Sequence, residues 1–274
     1  MNKPKEKKGN SLKEAIQSAF AISAILISLV VAYLIYKFIM GSPLNFEGGN
    51  PEGHPLPGNY LAMVYKGGLI VPVLIALLLI LITFSIERAI TLSKANGKGK
   101  TNVFVKNIQN YMSNNQIDAA VAACDKQKGS LANIMKAALA KFVELRDDTK
   151  LEKEQKILSL QKEIEEASAL ELPMLSKNLV ILSTIASIAV LIGLIGTVLG
   201  MIRAFAALAS AGSPDALALA TGISEALINT AFGISGSTFA IILYNMFSTR
   251  IDNLTFKMDE ASFSVVQTFA AQLK

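Results

Sequence analysis

Four stretches of this chain contain no Asp, Glu, Lys or Arg: residues 15–36, 67–86, 178–202 and 226–249. Roughly 20 apolar residues, at about 1.5 Å per residue, cross a hydrocarbon core of about 30 Å. In hydrocarbon the backbone N–H and C=O groups must be bonded within the protein, and a stretch this long does so as a helix. The sequence therefore predicts an all-α integral membrane protein with four transmembrane helices. Composition agrees: 52% of residues are hydrophobic and only 17% charged, against about 25% charged in soluble domains. The single cysteine, Cys124, excludes an intrachain disulfide. With one histidine beside it, no His/Cys metal site can be assembled. That histidine, His54, lies in a Gly/Pro-rich loop (48–55) and reads as a solvated loop residue. No catalytic residue, metal or cofactor is expected, and the chain is not read as an enzyme.

Loop charge sets the expected topology. Residues 1–14 carry five Lys, residues 88–177 carry fifteen Lys and Arg, and the tail 248–274 carries three. The loop 41–66 carries only Lys66, and 204–225 carries none. The basic segments are expected in the cytoplasm, with both termini there. The basic stretch before the first span resembles a signal peptide, but the apolar run is too long and Lys37-Phe38 stands where a cleavage site would be. A retained anchor is expected.

The expected organisation is a cytoplasmic N-terminus (1–14), an N-terminal transmembrane helix (15–40), a periplasmic loop (41–66) and a second span (67–86). A helical cytoplasmic domain (87–177) follows. A third span (178–203), a short periplasmic loop (204–221), a fourth span (222–249) and a cytoplasmic C-terminal helix (250–274) complete the chain. The helical reading of the middle block rests on apolar spacing at 115–124 and 131–145, and on the Glu, Lys, Leu and Gln of 151–172. Pro173 sits at the entry to the third span. The basic excess of the block reflects the orientation bias, and no nucleic-acid partner is expected. Gly99-Lys100-Thr101 ends like a phosphate-binding loop, but Lys94 stands where the first glycine belongs, and a membrane helix precedes it instead of a strand. The sequon Asn253-Leu254-Thr255 falls on the cytoplasmic side and is noise.

The last two spans are the informative ones. Gly193, Gly196 and Gly200 step by three and four, a stripe that lets another backbone approach closely; Gly233 and Gly236 do the same on the fourth span. Polar residues also lie at membrane depth. Glu225, Asn229, Gly233 and Ser237 share one helical face, with Thr230 beside it. Ser183, Ser187 and Thr197 fall on roughly one face of the third span. A lone Ser or Thr bonds back to its own helix. Asn and Glu are costly in lipid and should face protein or water. Together they suggest a polar line inside a bundle, a candidate proton pathway. Hydroxyls can pass a proton through water but cannot hold one at neutral pH, and Glu225, the one carboxylate near the line, sits at the end of its span. A proton motor would need its acid from a partner.

Three motifs carry a resemblance: Ile86-Glu87-Arg88; Gly193-Leu194-Ile195-Gly196-Thr197-Val198-Leu199-Gly200-Met201; and Gly222-Ile223-Ser224-Glu225-Ala226-Leu227 leading through Thr230-Ala231-Phe232-Gly233 to Tyr244-Asn245. In this order, around a cytoplasmic insert, they resemble the MotA/TolQ/ExbB proton channel family over about residues 60–260. The Glu-Ala-Leu and Tyr-Asn signatures favour an ExbB or TolQ type over MotA. The resemblance implies a homopentamer in the bacterial inner membrane, with the last two spans lining a pore. It implies an ExbD-like single-span partner carrying a membrane Asp, which would supply the missing acid. It matches Thr197 and Thr230 to pore-facing threonines and Glu225 to the family glutamate. For an ExbB type it further implies a TonB-like protein that receives the work and drives outer-membrane transport. Two features depart from the pattern: the extra first span, and Phe239 where the family often has Pro. A TolQ-type, MotA-like or gliding-type stator subunit, and a non-conducting four-span scaffold, stay open beside the ExbB-like reading.

Overall fold

The computed structural model describes residues 6–51, 53–209 and 216–273. The described residues include nine α-helices: α1 (Glu6–Leu34), α2 (Tyr60–Tyr65), α3 (Val71–Ala95), α4 (Thr101–Ser113), α5 (Ile117–Gln127), α6 (Gly129–Asp147), α7 (Lys153–Ser176), α8 (Leu179–Ala209) and α9 (Ala216–Gln272). Among the described residues the one extended pairing is an isolated bridge, Phe46 to Pro55. Among the described residues four helical segments are long and apolar enough to cross a membrane: Ala19–Met40, Gly68–Ala95, Lys153–Ala209, which runs over α7 and α8, and Ala218–Gln272.

The helices outrun the spans. α3 continues past Glu87 to Ala95 and stops before Gly97, which has a positive φ of 74°. α9 is one element of 57 residues, so the fourth span and the C-terminal helix are not separate. No Gly or Pro lies between Ser237 and Gln272, so nothing in the sequence breaks the helix there. Pro173 is accommodated inside α7, near its end. The break comes at Asn178, whose φ of 63° is the left-handed conformation Asn tolerates.

The chain divides into two compact units: Met1–Ser85 with Ile181–Leu243, and Ile86–Val180 with Tyr244–Lys274. In the first, Ala32 and Met40 pack against Val71, Ile75 and Ala76 of α3. Tyr36 and Tyr65 stack with ring centres 4.7 Å apart, and the Tyr36 hydroxyl donates to the Tyr65 carbonyl at 3.2 Å. Asn45 donates to the carbonyls of Ile39 and Met40, which the helix end leaves open. Asn59 donates to Asn45 and caps α2 by accepting from the Ala62 N–H. Phe46, 3% exposed, meets Tyr65 edge-on.

In the second unit, the last part of α9 packs one face against the helical block: Gln272 donates to the Met112 carbonyl at 2.7 Å. Phe247, Leu254, Met258, Ala261, Val265 and Phe269 recur at helical spacing and are buried. Phe142 of α6 meets Phe269 edge-on at 5.2 Å. Glu152 and Gln155 form a capping box that starts α7. Arg88, 2% exposed, is bonded to Glu87 through two nitrogens and donates to the Leu175 carbonyl at 3.2 Å. Thr91 and Asn178 donate to the same Glu87 carboxylate. The Ile86-Glu87-Arg88 motif thus fastens α3 to the α7–α8 turn.

Candidate functional site

α8 and α9 touch backbone to backbone. A Cβ built on Gly193 would stand 2.8 Å from the Asn229 carbonyl oxygen, and one on Gly233 would stand 2.7 Å from that of Ala189. A Cβ on Gly200 would stand 2.7 Å from the Gly222 oxygen. Gly196 faces the Asn229 side chain, with a Cβ-to-Cβ distance of 2.5 Å if one were added. These four glycines are required by the approach of the two helices. Gly236 is different: its nearest neighbour would be a Leu78 methyl at 3.4 Å, an ordinary contact with α3.

The polar face of α9 points into protein. Glu225, Asn229 and Ser237 are 5%, 0% and 6% exposed. Ser237 donates across to the Ala186 carbonyl of α8 at 2.5 Å. Asn229 donates to the Gly67 carbonyl, in the turn before α3, at 2.9 Å. Its side-chain oxygen has no protein partner among the described residues. Glu225 forms an ion pair with Arg203 at the end of α8. It also lies against Gly68, whose φ is 76°; a Cβ there would collide with the carboxylate oxygen. Glu225 and Asn229 therefore tie the turn before α3 to both α8 and α9.

The hydroxyls on the other candidate positions behave differently. Thr197 and Thr230 are partly buried, and Ser187 is exposed. Thr197 donates to the Leu194 carbonyl, Thr230 to Ala226 and Ser187 to Ser183, each within its own helix. Their neighbours are apolar and open: Leu191, Ile195 and Val198 on α8, and Leu227, Ile234 and Phe239 on α9, are all at least half exposed. The candidates thus separate into a buried set, Glu225 and Asn229 with Ser237, and a set nearer the open faces: Thr197, Thr230, Ser183 and Ser187.

Three participants carry no polar-line signal in the sequence. Arg203 reads there only as the charge that ends the third span. Gly67 and Gly68 read as part of a loop edge. A Gly-Gly pair directly before an apolar run is a visible sign of a close approach, but not of what approaches.

Residues 126–260 match the model of the MotA/TolQ/ExbB proton channel family. The chain is 40% identical over 82 residues to the Tol-Pal system protein TolQ of Haemophilus influenzae, a match covering 30% of this chain and 36% of that protein. It is 35% identical over 86 residues to the biopolymer transport protein ExbB of Pseudomonas putida, covering 31% and 26%. It is 32% identical over 121 residues to TolQ of Pseudomonas aeruginosa, covering 44% and 52%. The matched stretches thus span about half or less of these relatives' lengths. The family match takes in the third and fourth membrane-crossing helices and the motifs on them: over residues 126–260 the chain is similar to the domain of the MotA/TolQ/ExbB proton channel family.

Proposed function

We propose that this chain is an ExbB-like subunit of a proton-driven motor in the bacterial inner membrane, with both termini in the cytoplasm. Five copies form a ring whose inner wall is made by α8 and α9. The wall surrounds ExbD-like single-span helices, and the membrane Asp of that partner is the proton-binding group. The work is passed to a TonB-like protein and drives outer-membrane transport.

The observation that carries this reading is the division within the polar residues of α8 and α9. Glu225, Asn229 and Ser237 are turned inward and bonded, so they hold the two helices in place. Thr197 and Thr230 stand beside wide apolar faces that a single chain leaves open. An apolar surface with a few hydroxyls and no carboxylate suits a wall around a partner that brings its own acid. Water between the partner and the hydroxyls can relay the proton, and Ser183 and Ser187 continue the hydroxyls along α8.

The test is the double variant Thr197→Ala with Thr230→Ala. A large loss of energised transport with the oligomer intact is the expected result. Normal activity would remove the pore-lining role and leave a non-conducting scaffold. The identity to TolQ supports a second reading, a Tol-type subunit. The single-span protein that copurifies in mild detergent decides between them: an ExbD-like one with a TonB-like protein, or a peptidoglycan-binding one.

A further inference from the structure

A cleft of about 320 Å³ opens in the second unit between the end of α3 and the middle of α9. Leu92 and Leu254, 5% and 6% exposed, form its floor. Arg250, Asn253 and Lys257 stand on one face of α9, at i, i+3 and i+7, opposite Ser93 and Asn96 of α3. No carboxylate lines the cleft. Neither Arg250 nor Lys257 forms an ion pair among the described residues. Two cations, two amides and a hydroxyl therefore converge on one space with no anion to bond. A phosphate group fits that donor set: a guanidinium fork binds two of its oxygens, an ammonium adds charge, and neutral donors take what remains.

Chain position indicates the source of the phosphate. Arg250 is the first charged residue after the charge-free stretch 226–249. Lys257 lies roughly 10 Å further along the helix, at about 1.5 Å per residue. The headgroup layer outside the hydrocarbon core is about 5–8 Å thick on each side. Arg250 thus stands at headgroup depth and Lys257 just below it, with a side chain long enough to reach back toward that layer, on the face where Lys and Arg are concentrated. Basic pockets between helices on that face are suited to anionic lipid headgroups. The leucine floor suits the glycerol and first methylenes of a lipid, and a free phosphate would gain nothing from it.

We infer that this cleft binds the phosphodiester headgroup of an anionic phospholipid. Arg250 and Lys257 hold the phosphate, and Ser93, Asn96 and Asn253 donate to the remaining oxygens. The assignment is independent of which motor the chain serves.

The full chain, in its native oligomer and stripped of lipid by detergent washing, is the sample. Phosphatidylglycerol, phosphatidylcholine and glycerol 3-phosphate are the three probes, with retention read by native mass spectrometry. Phosphatidylglycerol should be retained and should raise the unfolding temperature, whereas the other two should do neither at the same concentration. Arg250→Gln with Lys257→Gln should lower retention roughly thirtyfold, from two lost charges of about 1 kcal/mol each. Arg250→Lys with Lys257→Arg should preserve it. Undiminished retention in the double Gln variant would overturn the assignment. Glycerol 3-phosphate competing as well as the lipid would overturn the lipid source. Should the double variant not fold, Ser93→Leu fills the cleft from the opposite wall, and unchanged retention there would be equally fatal.

Discussion

Asn229 donates its side-chain amide to the carbonyl of Gly67, 162 positions earlier in the chain, and is itself completely buried. The bond joins the last span to the turn that begins the second. It is made where no water competes, so each partner would be left unsatisfied without the other. Asn229→Leu removes the donor and keeps the branched outline of the side chain. We expect a loss of about 1–3 kcal/mol, read as a lower midpoint in detergent-induced unfolding. An unchanged midpoint would show that Gly67 finds another donor.

The glycine contacts separate positions that look alike. Gly193→Ala puts a methyl 2.8 Å from a backbone oxygen that cannot move aside, and should cost about 1–3 kcal/mol. Gly236→Ala meets only a leucine methyl at 3.4 Å and gains helix propensity of about 0.5–1 kcal/mol. Thermal unfolding of the two variants should move in opposite directions. Equal losses would mean that Gly236 also sits in a backbone contact.

Arg88 is a buried cation bonded to Glu87 and to the Leu175 carbonyl. Arg88→Leu leaves the Glu87 carboxylate and that carbonyl without their main partner. Glu87 is 23% exposed and keeps its bonds from Thr91 and Asn178, so the loss should be about 1–3 kcal/mol. Limited proteolysis should show it as new cleavage near the α7–α8 turn. A variant as resistant as the parent would demote the cluster to a surface pair.

Burial pushes the Cys124 thiol up to about 12, with Asp125 adding to the effect. A thiol free in an unfolded chain ionises near about 8.5. Between these values the folded chain keeps a proton that the unfolded chain has lost. The unfolded state then binds fewer protons, and stability falls as pH rises above about 9. Below that pH the contribution is intact. At pH 9 a maleimide should label Cys124 slowly in the native protein and rapidly after unfolding. Fast native labelling would mean that the thiol is reachable.

The spans were legible because charge is absent from them, and the helix–helix contact because small residues recur at three and four. Their ends were not. Composition marks where hydrocarbon stops, whereas a helix ends only where Gly97 or Asn178 takes a left-handed backbone; hence α3 and α9 run past the charges that seem to bound them. The polar line was also legible as a line, since Glu225, Asn229 and Ser237 share a face. The bonds they make were not, because Gly67, Ala186 and Arg203 lie on other segments. Spacing along one helix reports direction only and carries no information about what stands opposite.

The contact of α8 with α9 is made largely of main chain, and this has a genetic consequence. Any amino-acid replacement at Gly193, Gly200 or Gly233 adds at least a methyl, and each of these positions faces a backbone oxygen that leaves no room for it. No alternative residue is smaller, so the seam offers no neutral drift and no gradual improvement. Heritable variation in such a protein is therefore channelled to the outward faces of the same two helices, where the seam sets no limit on side-chain size.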